Sequence, residues 1–122
     1  MAIKKSILVV DDSPLIIERL KELLQDLDNV HSIANAGDYN QSIKILTENK
    51  IDIAFLDIHL PGKNGIELLQ FIKTNYPAIN VIMLSNQSNT YYRTFCKKSG
   101  AANFFDKSKE FEMIPAILSS FE

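Results

Sequence analysis

The residue types most able to do chemistry stand directly after apolar runs. Asp11 and Asp12 follow "SILVV", Asp57 follows "IDIAFL", Ser85 follows "NVIML", and Lys107 comes soon after "AANFF". Two carboxylates about 4 Å apart repel by about 4 kcal/mol at an effective dielectric of about 20, so the aspartate pair needs solvent, a shared proton or a cation. Three carboxylates suit Mg²⁺, and a hydroxyl and an ammonium could bind the oxygens of a phosphoryl group. If the fold brings these residues together, they predict a site for phosphoryl chemistry.

Short apolar runs alternate along the chain with patterns typical of helices. The runs lie at 6–10, 30–34, 51–56, 80–84 and 101–105. The helical patterns lie at 14–27, 38–49, 65–76 and 88–99, and a last helix is expected to start late, with Pro115 in its first turn. This alternation predicts an α/β fold, a doubly wound, flavodoxin-like, five-stranded parallel sheet with strands buried on both faces. With the strand order 2-1-3-4-5, the chemical residues meet at one edge of the sheet.

Length and composition limit the class of protein. The 122 residues, 46% of them hydrophobic, fit one domain covering 1–122, and the net charge of −2 at pH 7 gives no basic surface for nucleic acid or an anionic membrane. Partners are therefore expected to be proteins or small ions. The single cysteine, Cys96, cannot form an internal disulfide and follows a helical apolar spacing, so we expect it to be packed in a cytoplasmic protein.

In this order, the residues resemble the receiver domain of two-component response regulators, in a single-domain form similar to chemotaxis regulators. The matching positions are Asp11, Asp12, Asp57 with Pro61 and Gly65 in "LDIHLPGKNG", Ser85, and Phe104 with Lys107 in "FFDKS". The resemblance implies that Asp57 accepts a phosphoryl group from a histidine kinase or a histidine phosphotransfer protein. It also implies a signalling domain that catalyses only its own phosphorylation and dephosphorylation.

The resemblance implies a Mg²⁺ site as well. Asp12, Asp57 and the backbone carbonyl of His59 would bind the metal directly, and Asp11 would hold it through water. The imidazole of His59 is not expected to be a ligand, because Mg²⁺ prefers oxygen. His31, near the second strand, is interpreted as structural.

A conformational switch follows from the same resemblance. Lys107 would pair with the phosphoryl group, and Ser85 would move to bond a phosphoryl oxygen, which lets Phe104 rotate inward. The rotation would reshape the face made by the fourth helix, fifth strand and fifth helix, which includes Tyr91 and is expected to bind a downstream protein or a second copy of the chain. Lys107 is expected to face a solvated cleft and to matter more for signalling than for folding.

Three residues depart from the family pattern. Asn86 follows the switch hydroxyl where Ala or Gly is more frequent, Ser108 follows Lys107 where many members have proline, and Phe104 lacks the hydroxyl of the frequent tyrosine. These differences concern the lifetime of the phosphorylated state and the geometry of the loop after the fifth strand. They leave Asp57 as the expected phosphoacceptor.

The same architecture also occurs in proteins with other functions. A flavin-binding protein would need donors in the first loop, where the two carboxylates would instead repel the FMN phosphate. A hydrolase similar to haloacid dehalogenases would need a general acid where Ser13 stands, and "PGKNG" lacks the Walker spacing. The chain could also be the receiver portion of a larger regulator with a DNA-binding or catalytic output domain.

Overall fold

The computed structural model describes residues 4–86, 90–108 and 110–120. Its five strands form one parallel sheet in the order β2-β1-β3-β4-β5, which confirms the predicted topology. The strands are β1 (Lys5–Val10), β2 (Val30–Ala36), β3 (Ile53–Asp57), β4 (Asn80–Ser85) and β5 (Asn103–Asp106).

Helices cover both faces of the sheet. They are α1 (Pro14–Leu24), α2 (Tyr39–Glu48), α3 (Gly65–Asn75), α4 (Thr90–Lys98) and α5 (Ile114–Ser119), the last preceded by a 3₁₀ turn at Phe111–Met113. α5 starts late with a proline in its first turn, as predicted. α1 is shorter than predicted, because the chain turns after Leu24, where the Leu27 N–H donates to the Leu24 carbonyl. Residues 88 and 89 of the predicted fourth helix lie outside the described residues.

Side-chain caps fix where three helices begin. The Ser13 hydroxyl accepts from the Ile16 N–H, Asp38 accepts from the Gln41 N–H, and Asn64 accepts from the Glu67 N–H. Each cap satisfies a helix N–H that has no partner within the helix. Because Ser13 and Asn64 follow β1 and β3, their caps also close the loops that leave the carboxyl edge of the sheet.

Two apolar clusters lie on opposite faces of the sheet. Leu20 and Leu24 of α1 join Ile114 and Leu118 of α5 on one face, and the helices α2, α3 and α4 cover the other. β3 is buried along its whole length. β2 contradicts the expectation of strands buried on both faces, because it lies at the sheet edge and leaves His31, Ser32 and Asn35 exposed.

Two further observations concern the packing of the cysteine and the length of the helices. Cys96 of α4 is fully buried, as predicted, and burial raises the pKa of its thiol. Within the described parts of the chain, no helix is long and apolar enough to cross a membrane.

Candidate functional site

The carboxyl edge of the sheet brings the predicted residues together. Asp11 follows β1 directly, Asp57 is the last residue of β3, Ser85 is the last residue of β4, and Lys107 follows β5. Ser85 pairs in register with the end of β5, and the Lys107 N–H donates to the Ser85 carbonyl at 3.0 Å. The strand order therefore converts four separate strand ends into one site.

Three carboxylates form an acidic cluster at this edge. Each of Asp11, Asp12 and Asp57 has one carboxylate oxygen that lies within 4.8 Å of a carboxylate oxygen of the other two. Asp11 and Asp57 are buried, Asp12 is exposed, and Asp11 Oδ1 also accepts from the Ser13 N–H at 2.9 Å. Hard oxygen donors with one solvent-facing member fit Mg²⁺, which keeps several of its waters in proteins.

Lys107 is buried against these carboxylates. Its side chain is 7% exposed, and Nζ lies 2.5 Å from Asp11 Oδ2 and 3.2 Å from Asp57 Oδ2. The expectation that Lys107 faces a solvated cleft is therefore wrong, because the ammonium turns inward to neutralise two buried carboxylates. Lys107 therefore supplies part of the positive charge that the neighbouring aspartates require.

Asp57 has opposing electrostatic influences. Burial is the largest of them and raises the pKa of its carboxyl, while the nearby Lys107 ammonium lowers it and the Asp11 carboxylate raises it. The net effect is a raised pKa. The two carboxylate oxygens differ, since Oδ2 faces Lys107 and Oδ1 accepts a long hydrogen bond of 3.3 Å from the His59 N–H.

The loop after β3 needs glycine at two positions. Gly62 has φ of 73°, a left-handed conformation that glycine adopts without strain. The Gly65 N–H donates to the Ile58 carbonyl at 2.8 Å, and a Cβ at Gly65 would lie only 1.8 Å from the Asp57 carbonyl oxygen. The start of α3 therefore rests directly on the backbone of Asp57. The His59 side chain, in the same loop, is exposed. Its ring packs edge-on against Tyr92 of α4, with the two ring centroids 6.4 Å apart.

Comparison with known proteins agrees with this geometry. The family described as response regulator receiver domain matches residues 7–119. The chain belongs to the response regulator receiver domain family. This assignment favours a receiver over the flavin-binding and hydrolase alternatives.

Relatives of this receiver include longer regulators. It is 33% identical over 116 residues to the transcriptional regulatory protein MalR of Bacillus subtilis, a match that covers 95% of this chain and 49% of MalR. It is 27% identical to the DNA-binding transcriptional activator EvgA of Escherichia coli K12, covering 93% of this chain and 55% of EvgA. The receiver thus spans about half the length of these curated relatives.

A solved structure matches the whole fold. The signal receiver domain of an HD domain-containing protein from Pseudomonas fluorescens Pf-5 superposes with a TM-score of 0.85 at 25% identity. The match covers 97% of this chain and 94% of that one.

The two residues expected to form the switch lie on neighbouring strands of the receiver. Ser85 is fully buried at the end of β4, and Phe104 is half-buried on β5, packed against the cluster that includes α4. Met83 of β4, two residues before Ser85, pairs in register with Phe104. The pairing of β4 with β5 therefore links the strand that ends at Ser85 to the strand that carries Phe104.

Two residues beside Phe104, Arg93 and Glu110, were not predicted from the sequence. Arg93 of α4 donates from Nη1 to the Phe104 carbonyl at 3.2 Å, places its guanidinium carbon 5.1 Å from the Phe104 ring centroid, and forms an ion pair with Glu110. Glu110 also accepts from the Asp106 N–H at 3.0 Å, and the Arg93 hydrogen bond is the main cause of its lowered pKa. No local spacing in the sequence signals these contacts, because Arg93 and Glu110 are 17 residues apart.

Ser108 shows how this receiver builds the loop where many members have proline. Its N–H and its hydroxyl both donate to Asp106 Oδ1, at 2.8 Å and 2.6 Å. The two hydrogen bonds close a turn around Lys107. The polar residue thus gives the loop a fixed geometry by hydrogen bonding.

Proposed function

We propose that this receiver accepts a phosphoryl group on Asp57, with Mg²⁺, from a histidine kinase or a histidine phosphotransfer protein. The observation that carries the proposal is the position of the Asp57 carboxylate, which lies 3.2 Å from the Lys107 ammonium and within the acidic cluster. A single cysteine that cannot form an internal disulfide fits a reducing compartment, so we propose a cytoplasmic location for the receiver.

In the proposed phosphoryl transfer, side chains of this receiver act as the acceptor and as the groups that bind the phosphoryl oxygens. A carboxylate oxygen of Asp57 attacks phosphorus, the bond from phosphorus to the donor histidine nitrogen breaks, and that nitrogen keeps the electron pair. Lys107 pairs with the charged phosphoryl oxygens, and the Ser85 hydroxyl donates to one of them. Mg²⁺ held by Asp12, Asp57 and the His59 carbonyl, with Asp11 acting through water, would neutralise phosphoryl charge.

Small phosphodonors test the acceptor directly. Incubation with acetyl phosphate and Mg²⁺, followed by intact mass measurement, should add one phosphate to the wild type and none to Asp57→Asn. Asp28→Asn, at an exposed aspartate after α1, is the matched control and should be modified normally. Asp12→Ala should lose the metal dependence because it removes a direct ligand. Equal modification of wild type and Asp57→Asn would overturn the assignment.

The output of the proposed switch is the face of α4, β5 and α5. Two aromatic side chains of α4 are exposed, Tyr91 at 70% and Phe95 at 37%, and their rings stack with centroids 6.3 Å apart. Movement of Ser85 and rotation of Phe104 would alter this face, which we assign to binding a downstream protein or a second copy of the chain. Hydrogen exchange should therefore change there when the phosphoryl mimic beryllofluoride is added, and identical exchange would refute the assignment.

A second candidate concerns the protein around the receiver. Because the match covers only 49% of MalR and 55% of EvgA, the receiver could regulate an output domain of a longer chain. In that case the same face would contact an output domain, and any DNA binding would belong to that domain. The complete reading frame of the gene distinguishes the two candidates.

A further inference from the structure

Arg93 joins three groups that belong to two different parts of the receiver. From α4 it reaches the Phe104 carbonyl, the face of the Phe104 ring and the Glu110 carboxylate. Glu110 in turn accepts the Asp106 N–H at 3.0 Å, one residue before Lys107. A guanidinium can hold several acceptors at once because its donors are arranged in a rigid planar fork.

We propose that Arg93 and Glu110 form a latch that holds α4 and Phe104 in their present arrangement and thereby limits how readily the receiver adopts its phosphorylated conformation. The inference rests on the proposed function, because it assumes that Phe104 rotates on phosphorylation. It adds an element of control that the sequence resemblance does not contain.

The contacts explain why the latch favours one state. Inward rotation of Phe104 must carry its ring away from the guanidinium, which sits 5.1 Å from the ring centroid. A shift of α4 relative to β5 must also lengthen the 3.2 Å hydrogen bond from Arg93 to the Phe104 carbonyl. Both contacts therefore belong to the present arrangement and are weakened in the other, which is the condition for a differential effect on a two-state equilibrium.

Glu110 gives the latch its second anchor. Its carboxylate binds Arg93 and the Asp106 N–H, and the Glu110 N–H donates to the Asp106 carbonyl at 2.9 Å. The loop that carries Lys107 is thus tied to α4 through one carboxylate. Loss of either latch residue should release the same constraint, so the two substitutions should act in the same direction.

The affinity for beryllofluoride in the presence of Mg²⁺ measures the equilibrium between the present conformation and the phosphorylated one. A ligand that binds one conformation binds more tightly when that conformation is more populated. We expect Arg93→Ala and Glu110→Gln each to bind about fivefold more tightly than the wild type, which corresponds to about 1 kcal/mol. The double variant should gain no more than Arg93→Ala alone, because Glu110 acts on the latch through its ion pair with Arg93. Arg93→Lys, which keeps the charge but lacks the fork, should show a smaller gain.

A purely electrostatic effect of the two substitutions on beryllofluoride binding would give a different pattern of affinities. Removing a cation should weaken binding of an anionic ligand, and removing an anion should strengthen it, so opposite changes for Arg93→Ala and Glu110→Gln would overturn the latch. Lys97→Ala, an exposed cation on the same helix, is the matched control and should leave the affinity within about twofold of wild type. Thermal melting of every variant checks that it is folded, and Arg93→Lys replaces Arg93→Ala if the latter is not.

The two proposals fail in different ways. If beryllofluoride binds the wild type but both latch variants bind with wild-type affinity, the latch is wrong and the phosphoacceptor assignment stands. If the wild type does not bind beryllofluoride, or Asp57→Asn binds it equally well, the proposed function fails and the latch fails with it.

Discussion

Replacing Lys107 with methionine should destabilise the receiver as well as prevent its phosphorylation. Methionine keeps most of the length of the side chain but removes the ammonium that lies 2.5 Å from Asp11 and 3.2 Å from Asp57. Both carboxylates are buried, at 1% and 6% exposure, so the variant leaves them without the cation they face. The result would contradict the expectation that Lys107 matters mainly for signalling.

The size of the effect follows from distance and burial. At 3.2 Å and an effective dielectric of about 20, Coulomb's law gives about 5 kcal/mol for the attraction between Lys107 and Asp57. Part of this attraction offsets the cost of removing both charges from water, and deletion of one member of a buried ion pair costs about 3–5 kcal/mol. We therefore expect the free energy of unfolding to fall by about 3 kcal/mol in the absence of divalent cations.

Urea denaturation at neutral pH in EDTA measures this loss. Adding Asp57→Asn to Lys107→Met should recover part of it, because the amide removes one of the two buried charges. Mg²⁺ should also stabilise Lys107→Met, since a bound cation replaces the missing positive charge. A loss below about 1 kcal/mol for Lys107→Met, or a double variant less stable than the single one, would refute the reasoning.

Three further substitutions test separate parts of the site. Gly65→Ala should lower the free energy of unfolding, measured by chemical denaturation, by about 3 kcal/mol, because its Cβ would lie 1.8 Å from a carbonyl oxygen of β3. Gly62→Ala has open space around it and should lower the free energy of unfolding by about 1 kcal/mol, because its φ is positive. Asn86→Ala should speed both phosphorylation by acetyl phosphate and loss of the phosphoryl group, because a smaller side chain widens the approach to the acceptor. If the phosphorylated variant decays as slowly as the wild type or more slowly, the Asn86 amide instead orients the attacking water. The Arg93 hydrogen bond lowers the pKa of Glu110, so the carboxylate stabilises the fold at neutral pH and loses this effect as the pH falls through its lowered pKa. Glu110→Gln should therefore be less stable than wild type at pH 7, and urea denaturation should show the difference shrinking as the pH falls through that pKa.

Much of the site could be predicted because strand ends are local features of the sequence. Short apolar runs end directly before Asp11, Asp57 and Ser85, which predicts a strand end at each of them. The alternation of strands and helices then predicts the edge of the sheet at which these residues meet. The side-chain caps at Ser13 and Asp38 are local in the same sense, since each side chain accepts from an N–H three residues further along the chain. These features depend on neighbours along the chain, which a single sequence displays.

The depth of a side chain depends on partners that are distant in sequence. Lys107 is buried because two carboxylates from other strands draw its ammonium inward, and the sequence pattern of a lysine after a strand indicates solvent instead. The contacts of Arg93 depend on how α4 lies against β5, which no periodicity specifies. The exposure of β2 was missed because its apolar run resembles those of the central strands although it pairs only with β1.

The formal charges of the site explain why the proposed Mg²⁺ would be needed in addition to the lysine. With every side chain in its ionised form, Asp11, Asp12 and Asp57 carry three formal negative charges and Lys107 carries one positive charge, so a divalent cation would make the site neutral. In the proposed phosphorylated state, the single charge of the Asp57 carboxylate is replaced by a phosphoryl group with about 1.5–2 negative charges. The site then carries an excess of up to about one negative charge in a buried setting, where an unmatched charge is costly. A hydroxyl that moves to donate a hydrogen bond, as proposed for Ser85, stabilises this excess without adding a further charge, which gives the proposed conformational change its driving force.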